Sequence, residues 1–579
     1  MSVFKKYIYA FTALAVTLTV LGGMLLPGYI LSLDMVFGPF NQYSPQSTGG
    51  FLNSSPLWYF MHLLYLLLPG WILEKGMLVA LVFLLSFLSL TFLPLGGKAQ
   101  KRFEVRLFAS LLYTANPFVY ERLLAGHWAH LFAYALLPVV LNLLFFISRK
   151  PEALKGVQLA AVLALVGLFS LHLFVMAILM SALWLVIAGA TKIASYKLQV
   201  IEAAKIEAGR EDSNVGLHEG RVRGFIVTFS LLLLTLLVLT SYWSISALTR
   251  SISVEKSFDV SHWQAFAAAP HGNLPVLMNL SAMGGYWGEA YAWAQYFRWP
   301  QENILFWFAY VLVMLLAGFG VYAMCKRRGK SHAVFCIVLG LLAIIFAAGV
   351  SATPFASVNY WLYVHLPFWS GFRDSQKFIA LYALAIAVLA GNGFGSLLRR
   401  VEARNEHLGR FLATGALLVP LFFGVYMWGG FTNQLRPVWY PPEWYQARSQ
   451  ILADPKANVL ILPWQGYLSL GFNHNLIVAN PAGQFFGRQA VVSQNVRVGK
   501  VYDESASASY TELDQAIRHN SPASGESMAQ YLLRHNIQYI IFFQDIASVD
   551  SFSYSFLHSK GFILEWSTKE MQFYRISTN

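Results

Sequence analysis

Cysteine and charge are both scarce in this chain: among 579 residues there are two Cys, and Asp, Glu, Lys and Arg together make up only 12%. The two cysteines, Cys325 and Cys336, flank one short basic loop. The C-terminal quarter therefore holds no disulfide and must rely on a core of its own. That same stretch has no Gly-rich phosphate loop, no Cys/His pairs at metal-ligand spacing and no GxSxG element, which removes the nucleotide, zinc and serine-hydrolase readings such motifs support.

What the chain has instead is apolar surface, 57% hydrophobic and 16% aromatic residues, gathered in runs of about 20 residues over its first three quarters. A soluble core cannot absorb that much. A run of about 20 residues at helical rise matches the hydrocarbon layer, and in lipid only a helix satisfies its own backbone groups. Spans are predicted at roughly 7–31, 76–95, 104–120, 129–148, 156–173, 174–191, 224–246, 304–325, 333–350, 378–397 and 411–430. The stretch 57–73 is apolar but short and is interrupted by Pro69-Gly70, so it is placed in the external interface. The first span exceeds the usual h-region and lacks a small-x-small site after it, so it is expected to remain as a helix rather than to be cleaved. The expected fold is an all-α polytopic transmembrane bundle of about eleven helices with a C-terminal extracytoplasmic α/β domain. Residues 1–430 form the membrane part, with external loops 32–75, 247–303 and 351–377, and residues 431–579 form the outer domain.

Charge orients this arrangement. Of the 41 Lys and Arg, 23 fall in the segments that the span count puts inside, seven in the opposite loops and eleven in the tail. This is the positive-inside bias, and it puts the N-terminus in the cytoplasm and the tail outside. The net charge of +13 is thereby spread over short loops, and without a single basic patch no nucleic-acid partner is expected. In the tail, apolar runs shorten to strand length at 458–463, 537–543, 562–566 and 571–576, with an amphipathic helix at 528–534 after a Ser/Gly-rich turn. Strands alternating with helices suggest a small α/β layer, for which accessory or acceptor-binding use is the default.

Three polar clusters interrupt the apolar pattern, all on the predicted outer side. Asp34 follows the first span; an acid in an enclosed pocket can accept a proton from a hydroxyl, although a solvated Asp at a helix end is an ordinary feature. In NPFVYERLLAGHW, Glu121, Arg122 and His127 stand in an otherwise apolar turn. Arg122 can clamp a phosphate or simply pair with Glu121. His127 and His130 share a helical face but lack an acid at ligand spacing, which is weak support for a metal. In GFRDSQKF, Arg373 and Lys377 are spaced to face one anion near a helix start, unless Asp374 neutralises the arginine. Glu289, in the aromatic-rich loop 247–303, is a second acid.

The layout, with an acid after the first span, many further spans and an outer α/β domain, resembles the C superfamily of membrane glycosyltransferases (GT-C). The two strings quoted are similar to those of uncharacterised prokaryotic relatives of its arabinofuranosyltransferase and YfhO-like branches. The resemblance implies a plasma-membrane enzyme of cell-envelope glycan biosynthesis that uses a polyprenyl-phosphate sugar donor and a glycan, lipid or protein acceptor. On these residues it makes Asp34 the catalytic base and leaves Arg122, Arg373 and Lys377 for the donor phosphate, with Glu121, His127, Glu289 and Asp374 in support. Asp34 is followed by Met35 and Val36, so no DxD or ExD motif is present, which puts a requirement for Mg or Mn in doubt. The rival readings are a lipid or polysaccharide transporter or flippase, which would carry ionisable groups at the bilayer midplane and an internal repeat, and a noncatalytic membrane scaffold.

Overall fold

A computed structural model describes residues 3–41, 52–97, 102–206, 215–249, 260–294, 296–326, 329–366, 369–498, 501–503, 508–547 and 554–577. Among them, nine helices are long and apolar enough to cross a membrane: Phe4–Leu25, Gly70–Phe92, Trp128–Arg149, Leu171–Thr191, Arg223–Ser246, Ile304–Cys325, Lys330–Ala347, Ser375–Glu402 and Glu406–Thr432. A shorter apolar helix, Ala153–Phe169, accompanies them. The central element is Ile379–Glu402, buried along nearly its whole length. Its composition explains this position: a Cβ on Gly393 would stand 1.8 Å from the Leu316 carbonyl, and one on Gly320 would stand 2.0 Å from that of Leu389. Only glycine at both crossing points lets the two backbones touch, the usual way membrane helices gain contact when lipid offers no hydrophobic driving force.

Three expectations about the spans are corrected. The first helix, predicted to run to residue 31, ends at Leu21 and passes through a 3-10 turn, Gly22–Leu25. Gly22 and Gly28 both adopt positive φ on either side of Pro27, and no helix passes such a triplet. The predicted span 104–120 is two pieces, Phe103–Thr114 and Pro117–Leu124. Pro117 cannot continue the first helix, and the Asn116 side chain caps the second by accepting the Val119 N–H at 3.1 Å. The stretch 57–73 supplies an 11-residue helix, Ser55–Tyr65, too short to span, and then the start of the helix Gly70–Phe92. That earlier start brings two ionisable residues, Glu74 and Lys75, into a span. Both are buried; Glu74 accepts the Ile30 N–H at 2.9 Å and lies 3.8 Å from Lys75.

The C-terminal region carries β1 (Asn458–Leu462), β2 (Tyr467–Ser469), β3 (Ile477–Ala479), β4 (Ala490–Val491), β5 (Val496–Val498), β6 (Val501–Asp503), β7 (Ile537–Phe543), β8 (Phe562–Ser567) and β9 (Met571–Ile576). The strand and helix positions expected from pattern are met almost to the residue, the helix Met528–Arg534 included. Five strands form one sheet in the order β4-β1-β7-β9-β8, parallel across the first three and antiparallel across the rest. β2 and β3 form a separate antiparallel hairpin. This hairpin leaves its own domain: Val478 makes a β-bridge to Leu33, and Val438 bridges Tyr29, so the chain after the first helix is held by the C-terminal region.

Candidate functional site

The segment around Asp34 is shaped by backbone before side chains enter. Ser32 and Met35 close a tight turn on each other, with Met35 N–H donating to Ser32 O at 2.7 Å. The Asp34 N–H reaches the Ala125 carbonyl at 3.2 Å, while Leu33 is held at φ 37°. The turn lies directly on Gly126, at φ +76°, where an added Cβ would sit 2.3 Å from Met35 N and 2.6 Å from Ser32 O. Only glycine fits here for both reasons. Gly126→Ala is expected to cost about 1–3 kcal/mol from backbone strain alone and to displace Asp34, read as a lowered thermal midpoint in detergent together with lost activity. Wild-type behaviour in both would show that the turn is not seated this way.

This contact places His127, which follows Gly126, against the acid. His127 Nε2 lies 3.0 Å from Asp34 Oδ2, and the Tyr467 hydroxyl donates to Asp34 Oδ1 at 2.6 Å. The other imidazole nitrogen, Nδ1, is 3.1 Å from Arg122 Nη1. Arginine only donates, so Nδ1 must accept, which leaves the ring proton on Nε2, pointing at Asp34. Arg122 thus fixes His127 as a neutral donor. Burial lowers the imidazole below its usual range and the Arg122 charge adds to that, outweighing the pull of Asp34. For Asp34 the balance goes the other way. Burial raises the carboxyl, but the hydrogen bonds from His127 and Tyr467 and the Lys377 charge bring it below its ordinary value. Although protein surrounds it, the side chain keeps 38% of its surface open, so it is an ionised and reachable carboxylate.

Beneath the opening, Arg122 has no exposed side-chain surface and makes a two-pronged pair with Asp374, at 2.5 and 2.8 Å. It also donates to Gln376 Oε1 and stacks over Tyr286 at 5.2 Å. Gln376 in turn donates to Glu121 Oε2 at 3.0 Å. Arg122 thus ties the elements of the site together, and its enclosed side chain has no exposed surface on the side where a donor phosphate was expected. Asp374 is paired with Arg122 and also with Lys377, at 3.6 Å, so it is not a partner for Arg373 alone. Burial works against its charge, yet these two cations hold the carboxyl far below the usual range. Lys377 and Arg373 are half-buried at the opening, with Arg373 over the Phe266 ring at 4.5 Å.

The two remaining acids are withdrawn. Glu121 is fully buried, and burial followed by the neighbouring Glu289 charge raises its carboxyl well above the usual value. Glu289 is bonded to His271 and to Asn279 Nδ2 at 2.9 Å, and burial raises it too. Neither faces the opening. His130 bonds Ser170 at 3.1 Å and is not paired with His127. The groups that could hold a divalent cation are each hydrogen-bonded within the protein. Both Asp34 oxygens accept hydrogen bonds, both Asp374 oxygens are taken by Arg122, and both His127 nitrogens are engaged. Among the described residues no group of three His, Cys, Asp or Glu converges as a ligand set.

Sequence reasoning thus gathered Asp34, Glu121, Arg122, His127, Asp374 and Lys377, which the structure links in one network through Gln376 and their own contacts, and Arg373, which neighbours Lys377. It missed Gln376 and Tyr467. Gln376 lay inside the string GFRDSQKF, where a neutral amide drew no notice among charges. Tyr467 gave no signal, being one more aromatic residue on a short strand.

No family model matches the chain, and no curated protein does. Among solved structures it is similar to the arabinofuranosyltransferase AftD from Mycobacteria, with a TM-score of 0.59 at 14% identity over 100% of this chain and 40% of that one. Two structures of the R1389S mutant of that protein give TM-scores of 0.60 and 0.54, each covering 42% of it, at 14% and 12% identity. The chain thus spans about two fifths of the length of that arabinofuranosyltransferase. The likeness is one of fold.

Proposed function

We propose that this chain, a multi-pass membrane protein with a GT-C-like fold, is a membrane glycosyltransferase that moves a sugar from a polyprenyl-phosphate donor to a hydroxyl of an extracytoplasmic glycan, lipid or protein. One observation carries the reading: an accessible carboxylate, Asp34, lies within electrostatic reach of Lys377, which Arg373 neighbours in turn, at the end of the bundle where the α/β domain docks. A donor whose lipid stays in the bilayer presents its phosphate at that level. Asp34 takes the proton of the acceptor hydroxyl as its oxygen attacks the anomeric carbon. The bond from that carbon to the phosphate oxygen breaks, and the polyprenyl phosphate leaves with the electron pair. Lys377 and Arg373 meet the charge growing on the phosphate. Such preorganised charge stabilises the transition state more than the bound substrate, which is what accelerates the step.

Basic loops at the opposite end of the bundle, among them Arg102 paired with Glu402, support a cytoplasmic face there and an external α/β domain. For a translocating protein the relevant feature would be Glu74 and Lys75 within a span, but Glu74 is committed to the Ile30 backbone. In reconstituted vesicles holding the purified protein and a panel of radiolabelled polyprenyl-phosphate sugars, label is expected to pass to an acceptor. Lipid movement without transfer would instead establish a flippase, and neither event would leave a scaffold.

A further inference from the structure

The α/β domain was expected to be an accessory, yet it reaches the centre of the site. β1 lies between two parallel neighbours, β4 and β7, and the carboxyl edge of such a trio is where open α/β sheets present their functional loops. The chain leaves β1 at Leu462 and enters β2 at Tyr467. Leu470, just past β2, bridges Ile546, just past β7, so the hairpin sits against the same edge. The far side of the hairpin is pinned to the catalytic turn by Leu33 N–H to Ile477 O at 3.3 Å and Ala479 N–H to Leu33 O at 2.7 Å. Asn473 Nδ2 adds a bond to Leu31 O at 3.2 Å, and the Tyr440 hydroxyl one to Phe37 O at 2.8 Å.

We infer that Tyr467 is a positioning residue for the sugar-transfer step: its hydroxyl fixes the plane of the Asp34 carboxylate, so that the α/β domain completes the catalytic centre. This rests on the transferase reading above. The geometry requires a second donor. His127 alone, on Oδ2, would leave the carboxylate free to turn about its last torsion. Donors on both oxygens, one from the membrane bundle and one from the α/β domain, lock that torsion and leave the remaining lone pairs for the acceptor. Burial and the adjacent Asp34 charge raise the phenol well above its usual value, so it stays a donor throughout the working pH range. Removing the hydroxyl leaves the ring packing and the backbone bridge to Leu33 intact.

In the full-length protein, Tyr467→Phe is expected to lower kcat by about 10²-fold, the size of effect a misaligned reacting group produces, with KM for the lipid donor unchanged. The acid limb of its pH profile should move to higher pH, because a carboxylate with one donor fewer is more basic; a merely structural role would not move that limb. A second measurement needs no turnover: 3-fluorotyrosine placed at position 467 should change its 19F shift on Asp34→Asn. Wild-type kcat and acid limb in Tyr467→Phe, or a 19F signal indifferent to Asp34→Asn, overturns the inference. A 19F response in a protein that transfers no sugar instead overturns the transferase reading, and with it any role of the bond in catalysis.

Discussion

Asp34→Asn is expected to reduce sugar transfer by about 10²- to 10⁴-fold, the contribution of a positioned general base, while the protein still folds. The amide has the shape of the carboxylate, so the Tyr467 hydroxyl still finds an oxygen, and only one of the two donors is left facing an NH₂ group. What disappears is the capacity to take a proton. The wild-type pH profile carries the matching sign. Since His127 and Tyr467 hold this carboxyl below its ordinary 3.8, the base stays ionised as pH falls from neutrality, and activity declines only beneath that value, where protonation fills the lone pair. The hydrogen bonds to the charged form add stability over the same range and lose it through the same titration. The checks are kcat at saturating donor across pH and the thermal midpoint of both proteins. Near-native turnover by Asp34→Asn would remove Asp34 as the base.

The second large effect is on stability. Arg122→Met should cost about 3–5 kcal/mol, because it strands the buried Asp374 without its two-pronged partner. Lys377, at 3.6 Å, replaces only part of that interaction. Loss of Arg122 also frees His127 Nδ1, so the ring no longer has a dictated tautomer and kcat falls with stability. Arg122→Met combined with Asp374→Leu should recover much of the lost stability but none of the activity, since no unpaired charge then remains while the His127 lock stays broken. Thermal unfolding in detergent of the wild type, both single variants and the double variant measures this. A single variant as stable as the wild type would mean that the pair is not buried in the folded protein.

The sequence disclosed more of the fold than of the chemistry. Spans and strands were legible because their signals are local: a run of apolar residues and alternation along β1, β7, β8 and β9 need no partner to be read. Errors fell where a local breaker competed with hydrophobicity. Pro27-Gly28 sits inside an apolar stretch, and the average across that stretch hid the break. For the site, residue types in otherwise apolar turns pointed to the right set, since a charge near lipid is costly unless something uses or satisfies it. The assignment of roles among them was not legible. Arg122 and Arg373 are the same residue in similar sequence surroundings, and only packing shows that one is sealed against Asp374 while the other lies half-buried over the Phe266 ring.

By itself the sequence determined that this chain crosses a membrane many times, that it carries an α/β domain after the last span, and that a few charged residues near the span ends have uncommon work. Tertiary structure decided which of them act together. The bond from Tyr467 to Asp34 joins residues 433 positions apart, and no periodicity along a chain encodes such a meeting. It arises because the β2–β3 hairpin pairs with Leu33 and because Gly126 lets the Asp34 turn approach without a side chain between them. Close packing chose the partners, and the partners set the charge and direction of the groups.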